Sequence, residues 1–246
     1  MRTVSFKSVL YGAAARLGLQ PYNESGIDKS KKYELVNALN DRVAEGWDWD
    51  WWPELMVCEQ RTLSTAETTS VRYAPWVATG KTTIGTVKNV YRRHPLYSRA
   101  PDRLPHIINA DGVVLNDLAP DDVWIMFRKR VPMFTAQDYA STTNYAVDDL
   151  CYYESKIYPA GECYICIQAG TGETPPSSTE YWTKIDFPAW LKSYVIQGVY
   201  ADCLDDEDQE TARWKAGQKA EELIIRTADT IMGQQSQTEV ARVENG

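Results

Sequence analysis

The feature that most constrains this chain is a change of hydrophobic period that happens twice. Apolar side chains recur every three or four positions through residues 4–18 and 28–47. From Glu54 the spacing shortens to the alternation of strands, and near Phe187 it returns to helical spacing. Helices at both ends with strands between them predict an α+β fold. In outline, N-terminal and C-terminal helix pairs pack as a helical domain around a central small β domain and an inserted small β module. The expected boundaries are 1–53 for the N-terminal helix pair, 54–139 for the β domain and 145–185 for the module. The C-terminal helix pair, packing with 1–53, is expected over 186–235, and a flexible tail over 236–246.

Local signals set the ends of these elements. Phe6, Val9, Leu10, Ala13, Ala14 and Leu17 form one helical stripe, with Thr3 as the expected N-cap and Gly18 as the stop. Leu35, Val36, Leu39, Val43 and Trp47 form a second stripe from about Asp28, and Pro53 disfavours helix at Trp52. Strands are predicted at 55–58, at 71–73, over 84–91 and over 123–131, with a turn at Asp111-Gly112. In the 84–91 strand, Ile84, Thr86, Lys88 and Val90 share one side; in the 123–131 strand, Trp124 and Met126 oppose Ile125 and Phe127. The Ser/Thr-rich run 140–144 reads as a linker. A helix is predicted over 187–204 with Asp186 as its cap. Asp205-Asp206-Glu207-Asp208 then ends that helix and complements the dipole of a last one, after which Gly233 opens a polar tail.

Composition removes several function classes. A chain of 246 residues, 43% of them hydrophobic, can build its core without disulfides, so its odd count of five cysteines reads as reduced thiols made in a cytoplasm. Net charge is −8, whereas duplex affinity comes mainly from Lys and Arg on phosphates, so a general nucleic-acid binder is not expected. The acidic charge reads as an aid to solubility or, alternatively, as the lining of a passage through which DNA slides without sticking. No apolar run approaches the ~20 residues that span a bilayer, and residues 1–6 do not read as a secretory signal.

The chemical motifs are weak. Thr79-Gly80-Lys81-Thr82 echoes a phosphate loop, but the glycine that should open the motif is Pro75, and strand follows where helix is needed. Cys163 and Cys166 are three apart on a predicted strand and so face opposite ways, which does not suit a metal. Only His94 and His106 are present, and neither a G-x-S-x-G elbow nor an H-E-x-x-H helix occurs. No catalytic, metal or cofactor residue is expected, and the chain is not read as an enzyme. Arg92, Arg93, Arg99 and Arg103 lie on a Pro-punctuated loop. It reads as a solvated loop or as one that pairs with acids of a neighbouring subunit, with a DNA contact third. The tryptophans Trp47, Trp49, Trp51 and Trp52 divide between core and interface, with Trp49, Trp51 and Trp52 as the interface candidates beside Gln234 and Gln235.

Two resemblances add to this reading. The run Tyr145-x-Val147, Lys156-Ile157-Tyr158, Cys163-Tyr164-Ile165-Cys166, Thr171-Gly172-x-x-Pro175 and Tyr181-Trp182-x-x-Ile185 is similar to the chitin-binding type of carbohydrate-binding module. The chain departs from that family in having Asp148-Asp149 where Gly-Asp is usual. It also has Ile167-Gln168-Ala169-Gly170 where sugar-binding members carry adjacent aromatics. The rings left to contact sugar are Tyr152, Tyr153, Tyr158, Tyr164 and Tyr181. The flanking helix pairs resemble the neck adaptors, or head–tail connectors, of tailed phages, whose rings are commonly twelvefold. That resemblance implies a structural virion protein of the neck, assembled in the host bacterial cytoplasm. Its partners would be its own copies, the portal, a tail or nozzle protein, and passing genomic DNA bound without sequence specificity. The alternative is a virion-decorating carbohydrate-binding protein acting through residues 145–185.

Overall fold

The fold is mixed α+β, with four helices and several small antiparallel sheets among the described residues of a computed structural model. The structure describes residues 2–19, 27–65, 72–77, 81–97, 102–115, 120–154, 161–204 and 209–243, with side chains up to Gly233. The acidic run at 205–208 and residues 79–80 of the phosphate-loop echo fall outside these. The chain divides into two compact units, one of residues 1–50 with 132–246 and one of residues 51–131. No helix among the described residues is long and apolar enough to cross a membrane.

The first unit is organised around one short helix. The strand β1 (Thr3–Val4) leads into α1 (Phe6–Arg16), and α2 (Lys29–Asp48) follows. Later in the chain come α3 (Lys192–Asp202) and α4 (Glu210–Val243). Both apolar stripes read from the sequence are buried, Phe6, Val9, Leu10, Ala13 and Ala14 on α1 and Leu35, Val36, Leu39, Val43 and Trp47 on α2. α1, α2 and α4 all pack on α3, which is buried from Tyr194 through Val199. Close approach is possible because the contacts are glycine. A Cβ on Gly46 of α2 would lie 2.6 Å from Leu191 Cδ1, and one on Gly198 of α3 would lie 2.7 Å from Arg42 Cδ. Polar groups then lock the helices in place. Arg42 grips Asp202 through Nε at 2.7 Å and Nη2 at 2.5 Å, and the buried Gln197 accepts from Arg16 and donates to Ala216 O at 3.3 Å.

Three element ends differ from expectation. Ser5, not Thr3, caps α1 by accepting from Ser8 N, because Thr3 and Val4 are taken up in a strand pair. Their partner is β14 (Phe187–Pro188), so Asp186 caps nothing and the C-terminal helix starts later, after a 3-10 turn at Ala189–Leu191. α4 runs through Gly233 to Val243, so the expected tail is helical over most of its length. One glycine costs a helix only ~1 kcal/mol, and the residues after it include the good helix formers Gln, Glu, Ala and Arg.

The strand module belongs to this same unit. It holds β9 (Asn144–Tyr145) paired with β12 (Gly170–Thr171). Beside them stands a three-stranded sheet of β10 (Leu150–Tyr153), β11 (Glu162–Cys166) and β13 (Trp182–Lys184), with β11 central. Its core is Tyr145, Cys151, Tyr164, Cys166 and Trp182, the indole donating to Glu173 O at 2.7 Å. The predicted linker is a fixed turn, with Thr143 N donating to Ala140 O and Ala140 N to the Tyr145 hydroxyl at 2.9 Å. Aromatic rings join module to helices. Phe6 stacks on Phe134 at 4.8 Å, Phe134 meets Phe187 at 5.4 Å, and the Glu162 carboxylate accepts from Phe6 N at 3.1 Å. Asn40 of α2 holds Phe134 by both backbone groups at 2.9 Å, so residues 132–139 follow the helical unit rather than the central strands.

The second unit is a pair of antiparallel sheets. One has the order β2 (Met56–Thr62), β8 (Asp122–Lys129), β5 (Ile84–Tyr91). The other has the order β3 (Ser64–Thr65), β4 (Arg72–Pro75), β7 (Gly112–Leu115), β6 (His106–Ile108). Leu63, Ala74, Val90, Val113, Val123, Ile125 and Phe127 form its core. On β8 the inward face is Val123, Ile125 and Phe127, as alternation predicts. On β5 it is not the alternating set. Register shifts at Ile84/Thr86 and Val87/Asn89 insert extra residues, so Ile84, Val87 and Val90 turn inward while Thr86 and Lys88 stay exposed. The Asp111-Gly112 turn forms as read, with Asn109 Oδ1 accepting from both backbone amides.

The Phe134 contacts give a direct test. Phe134→Ala is expected to lower unfolding stability by ~3–5 kcal/mol, as for other buried Phe truncations. Met133→Ala, next to it but exposed, should stay within about 0.5 kcal/mol. Urea denaturation of the two variants measures both.

Candidate functional site

The first unit contains an open cleft of about 320 Å³ where α1, α2 and β10 meet. Its walls are Tyr11 from α1, Ile27 and Lys32 at the start of α2, Asp138 and Tyr139 from the strap before β9, and Tyr152, Tyr153 and Glu154 on and just after β10. Charges alternate along it. Lys32 Nζ sits 4.1 Å over the Tyr152 ring and 2.7 Å from Asp138. The Tyr152 hydroxyl donates to Glu154 Oε2 at 2.7 Å, and Lys7 pairs with the same carboxylate while lying 4.9 Å over the Tyr11 ring. Burial, and then the neighbouring Glu154, push the Tyr152 phenol well above its usual range, so it stays a neutral donor. Gly161 lies against this hydroxyl: a Cβ there would lie 1.9 Å from the Tyr152 oxygen.

These groups offer ring faces, hydrogen-bond acceptors and a donor. Among the lining residues there is no serine, cysteine or histidine. Nearby thiols are not activated either, since burial pushes Cys151 and Cys163 up to about 12. Cys163 donates to Thr135 O at 3.5 Å and Cys166 to Gln168 O at 3.1 Å, on different sides of β11. Among the described residues no three His, Cys, Asp or Glu side chains cluster to hold a metal.

The tyrosines named from sequence separate here. Tyr152 and Tyr153 reach the cleft, but Tyr152 is buried and presents its hydroxyl edge rather than a free ring face. Tyr164 is buried in the module core, and Tyr181 packs half-buried against the same cluster, so neither is a free sugar platform. Tyr158 lies outside the described residues. Sequence reading missed Tyr11, Lys32 and Tyr139, because they come from helices and a strap distant along the chain. The available signal is Tyr11, a half-buried ring on α1 that stands outside the buried stripe of Phe6, Val9, Leu10, Ala13 and Ala14.

The interface candidates also separate. In the second unit the arms of the arginine loop are tied together: Arg92 N donates to Asp102 O at 3.0 Å, Leu104 N to Val90 O at 2.9 Å, and Tyr91 bridges Arg103. Arg92 Nε pairs with Asp102 at 3.0 Å, while Arg93 and Arg103 are exposed. His94 touches Trp124 edge-on at 4.4 Å and Tyr97 at 4.7 Å, and Tyr97 is 89% exposed. Arg99 lies outside the described residues. Trp51 is half-buried, with Lys88 and Arg128 each 5.2 Å from its ring, and Trp52 is fully buried, so Trp52 is core rather than interface. In the first unit Trp49 is exposed. Gln234 and Gln235 lie within α4. On that helix Ala216, Ala220 and Ile224 are buried, whereas Trp214, Ile225 and Met232 are exposed. Spacings of eleven and seven residues put these three within about 20° of one another around the helix.

No protein-family model matches the chain, and no curated protein matches it.

The cleft makes a quantitative prediction. Gly161→Ala should cost ~1–3 kcal/mol by overpacking, and Tyr152→Phe ~1 kcal/mol by losing its hydrogen bond. The double variant should cost less than the sum, because the phenyl ring lacks the oxygen that the new methyl group meets first. A thermal-unfolding double-mutant cycle reads the coupling directly.

Proposed function

We propose that the chain is a structural virion protein, a head-to-tail adaptor whose copies form a ring joining the portal to the tail or nozzle while DNA passes through. The observation that carries this reading is α4. It is 34 residues long, about 51 Å, whereas α3, on which it packs, is 11 residues, about 16 Å. A helix that far outruns its support and carries a second apolar row of Trp214, Ile225 and Met232 is suited to packing against helices of other molecules. The role is assembly rather than catalysis. The net charge of −8 fits a lumen that does not hold DNA. The segment with Gln234 and Gln235 docks on the portal as part of a helix. The site of action is the neck of the virion, reached by assembly in the host bacterial cytoplasm.

A second reading rests on the cleft. Tyr11, Tyr139 and Tyr153 beside Asp138 and Glu154 offer rings and carboxylates suited to a saccharide's apolar faces and hydroxyls. On that reading the chain decorates the virion and binds carbohydrate. Glycan-array binding lost in Tyr153→Ala supports it, and an array without signal removes it.

The adaptor reading is tested by co-expression with the portal protein of the same genome and electron microscopy of the purified complex. An added ring is expected beneath the portal. Trp214→Glu/Ile225→Lys should abolish that ring with unfolding stability changed by no more than about 0.5 kcal/mol, since both side chains are exposed. Removal of residues 234–246 should abolish portal docking with the rest of the fold intact. A folded chain that never joins an assembled portal defeats the reading.

A further inference from the structure

The two units differ in charge more than the whole chain suggests. Residues 51–131 carry eleven Lys and Arg against eight Asp and Glu, a net charge of +3. The remaining residues carry fifteen against twenty-six, a net charge of −11. The cationic surplus has a definite place in the second unit. The arms of the arginine loop, closed by the Arg92–Asp102 and Val90–Leu104 backbone bonds, present Arg93 and Arg103 to solvent. Between those arms stand Leu96 and Tyr97, 70% and 89% exposed. Arginine with large exposed apolar side chains is the composition of a protein-binding patch.

We infer that this loop docks onto the acidic helical and module unit of a second copy of the chain, head to tail, so that each copy offers one basic and one acidic face. Long-range charge does not decide the occupant, because a nucleic acid and a second copy both meet a molecule of net charge −8. The exposed Leu96 and Tyr97 among the arginines do, since large apolar side chains match a protein surface rather than a phosphate backbone. A second copy brings an excess of eleven negative charges on one unit. Planar guanidinium groups engage carboxylates in paired hydrogen bonds, which suits Arg93 and Arg103 to that surface. Unlike faces that meet head to tail close into a ring or grow into a filament, whereas like faces stop at a dimer. The pairing therefore rests on the ring reading for its setting and names the contact between neighbours that the α4 row does not supply.

The test uses the full chain in sedimentation velocity over a range of concentrations. Self-association is expected in about 50 mM salt and should weaken by at least about tenfold near 1 M, where the screening length shrinks to about 3 Å. The variant Arg93→Glu/Arg103→Glu should lose self-association while its far-ultraviolet circular dichroism and melting temperature match the parent. Mixed with the parent it should shorten the oligomers, because it keeps an acidic face that caps a growing chain. Absence of salt-sensitive association, or association indifferent to the double reversal, overturns the inference. So does labelled single-stranded or duplex DNA that binds the parent through these arginines while self-association is unaffected. In the portal complex, a ring whose contacts between copies exclude the loop overturns the inference and leaves the adaptor reading standing. Salt-sensitive self-association with no portal binding does the reverse.

Discussion

Phe6 is the residue on which the first unit depends. Its ring is fully buried against Phe134, and Phe134 in turn meets Phe187, just ahead of the C-terminal helices. Its backbone amide donates to Glu162 on the central strand of the module, and the next amide, Lys7 N, donates to Gly161 O at 2.9 Å. One residue therefore joins the start of α1, the strap at 132–139 and β11, and reaches β14 through Phe134. Glu162 is drawn in far enough that burial raises its pKa, so the bond to Phe6 is made in a poorly solvated place, where hydrogen bonds are strong and their loss is costly. The cleft follows from this junction, because Tyr11 lies one and a half turns beyond Phe6 and Tyr152 contacts the Phe6 ring edge-on at 6.0 Å.

That junction explains what could and could not be read in advance. The helical stripes were legible because a buried helix face must repeat apolar residues at 3.6, and nothing distant in sequence changes that. The inward face of β8 was legible for the equivalent reason at period two. The same reasoning failed on β5, where bulges break the period, and at Thr3, where a local cap signal lost to a strand pair with residues 187–188. At Gly233 the helix-ending signal of one glycine is outweighed by the helix-forming residues around it, so α4 continues to Val243. The cleft was half legible. Tyr152 and Tyr153 come from one strand, but their partners arrive from α1, α2 and the strap, and no local pattern records that meeting.

The proposed function rests on surfaces. Tyr152 is held neutral and Cys151 and Cys163 are held protonated, which suits packing and hydrogen bonding more than bond-making. The features left unexplained by the fold itself are the exposed row on α4, the exposed Leu96 and Tyr97 between arginines, and the uneven division of charge. Each is a cost to a solitary molecule and a contact to an assembled one. The adaptor proposal takes all three as parts of one assembly, with apolar helix packing supplying adhesion and opposite charge supplying register between copies.

The central structural claim is that helices and module form one cooperative body through the Phe6 junction. Native-state hydrogen exchange in graded denaturant, followed by mass spectrometry, tests it most directly. The account predicts that peptides from α1, α3 and β11 lose their slowest protection together, with the same free energy and the same denaturant dependence. Residues 145–185 opening at lower free energy, while α1 to α3 stay protected, would show a separate module hung on a helical frame and would contradict it.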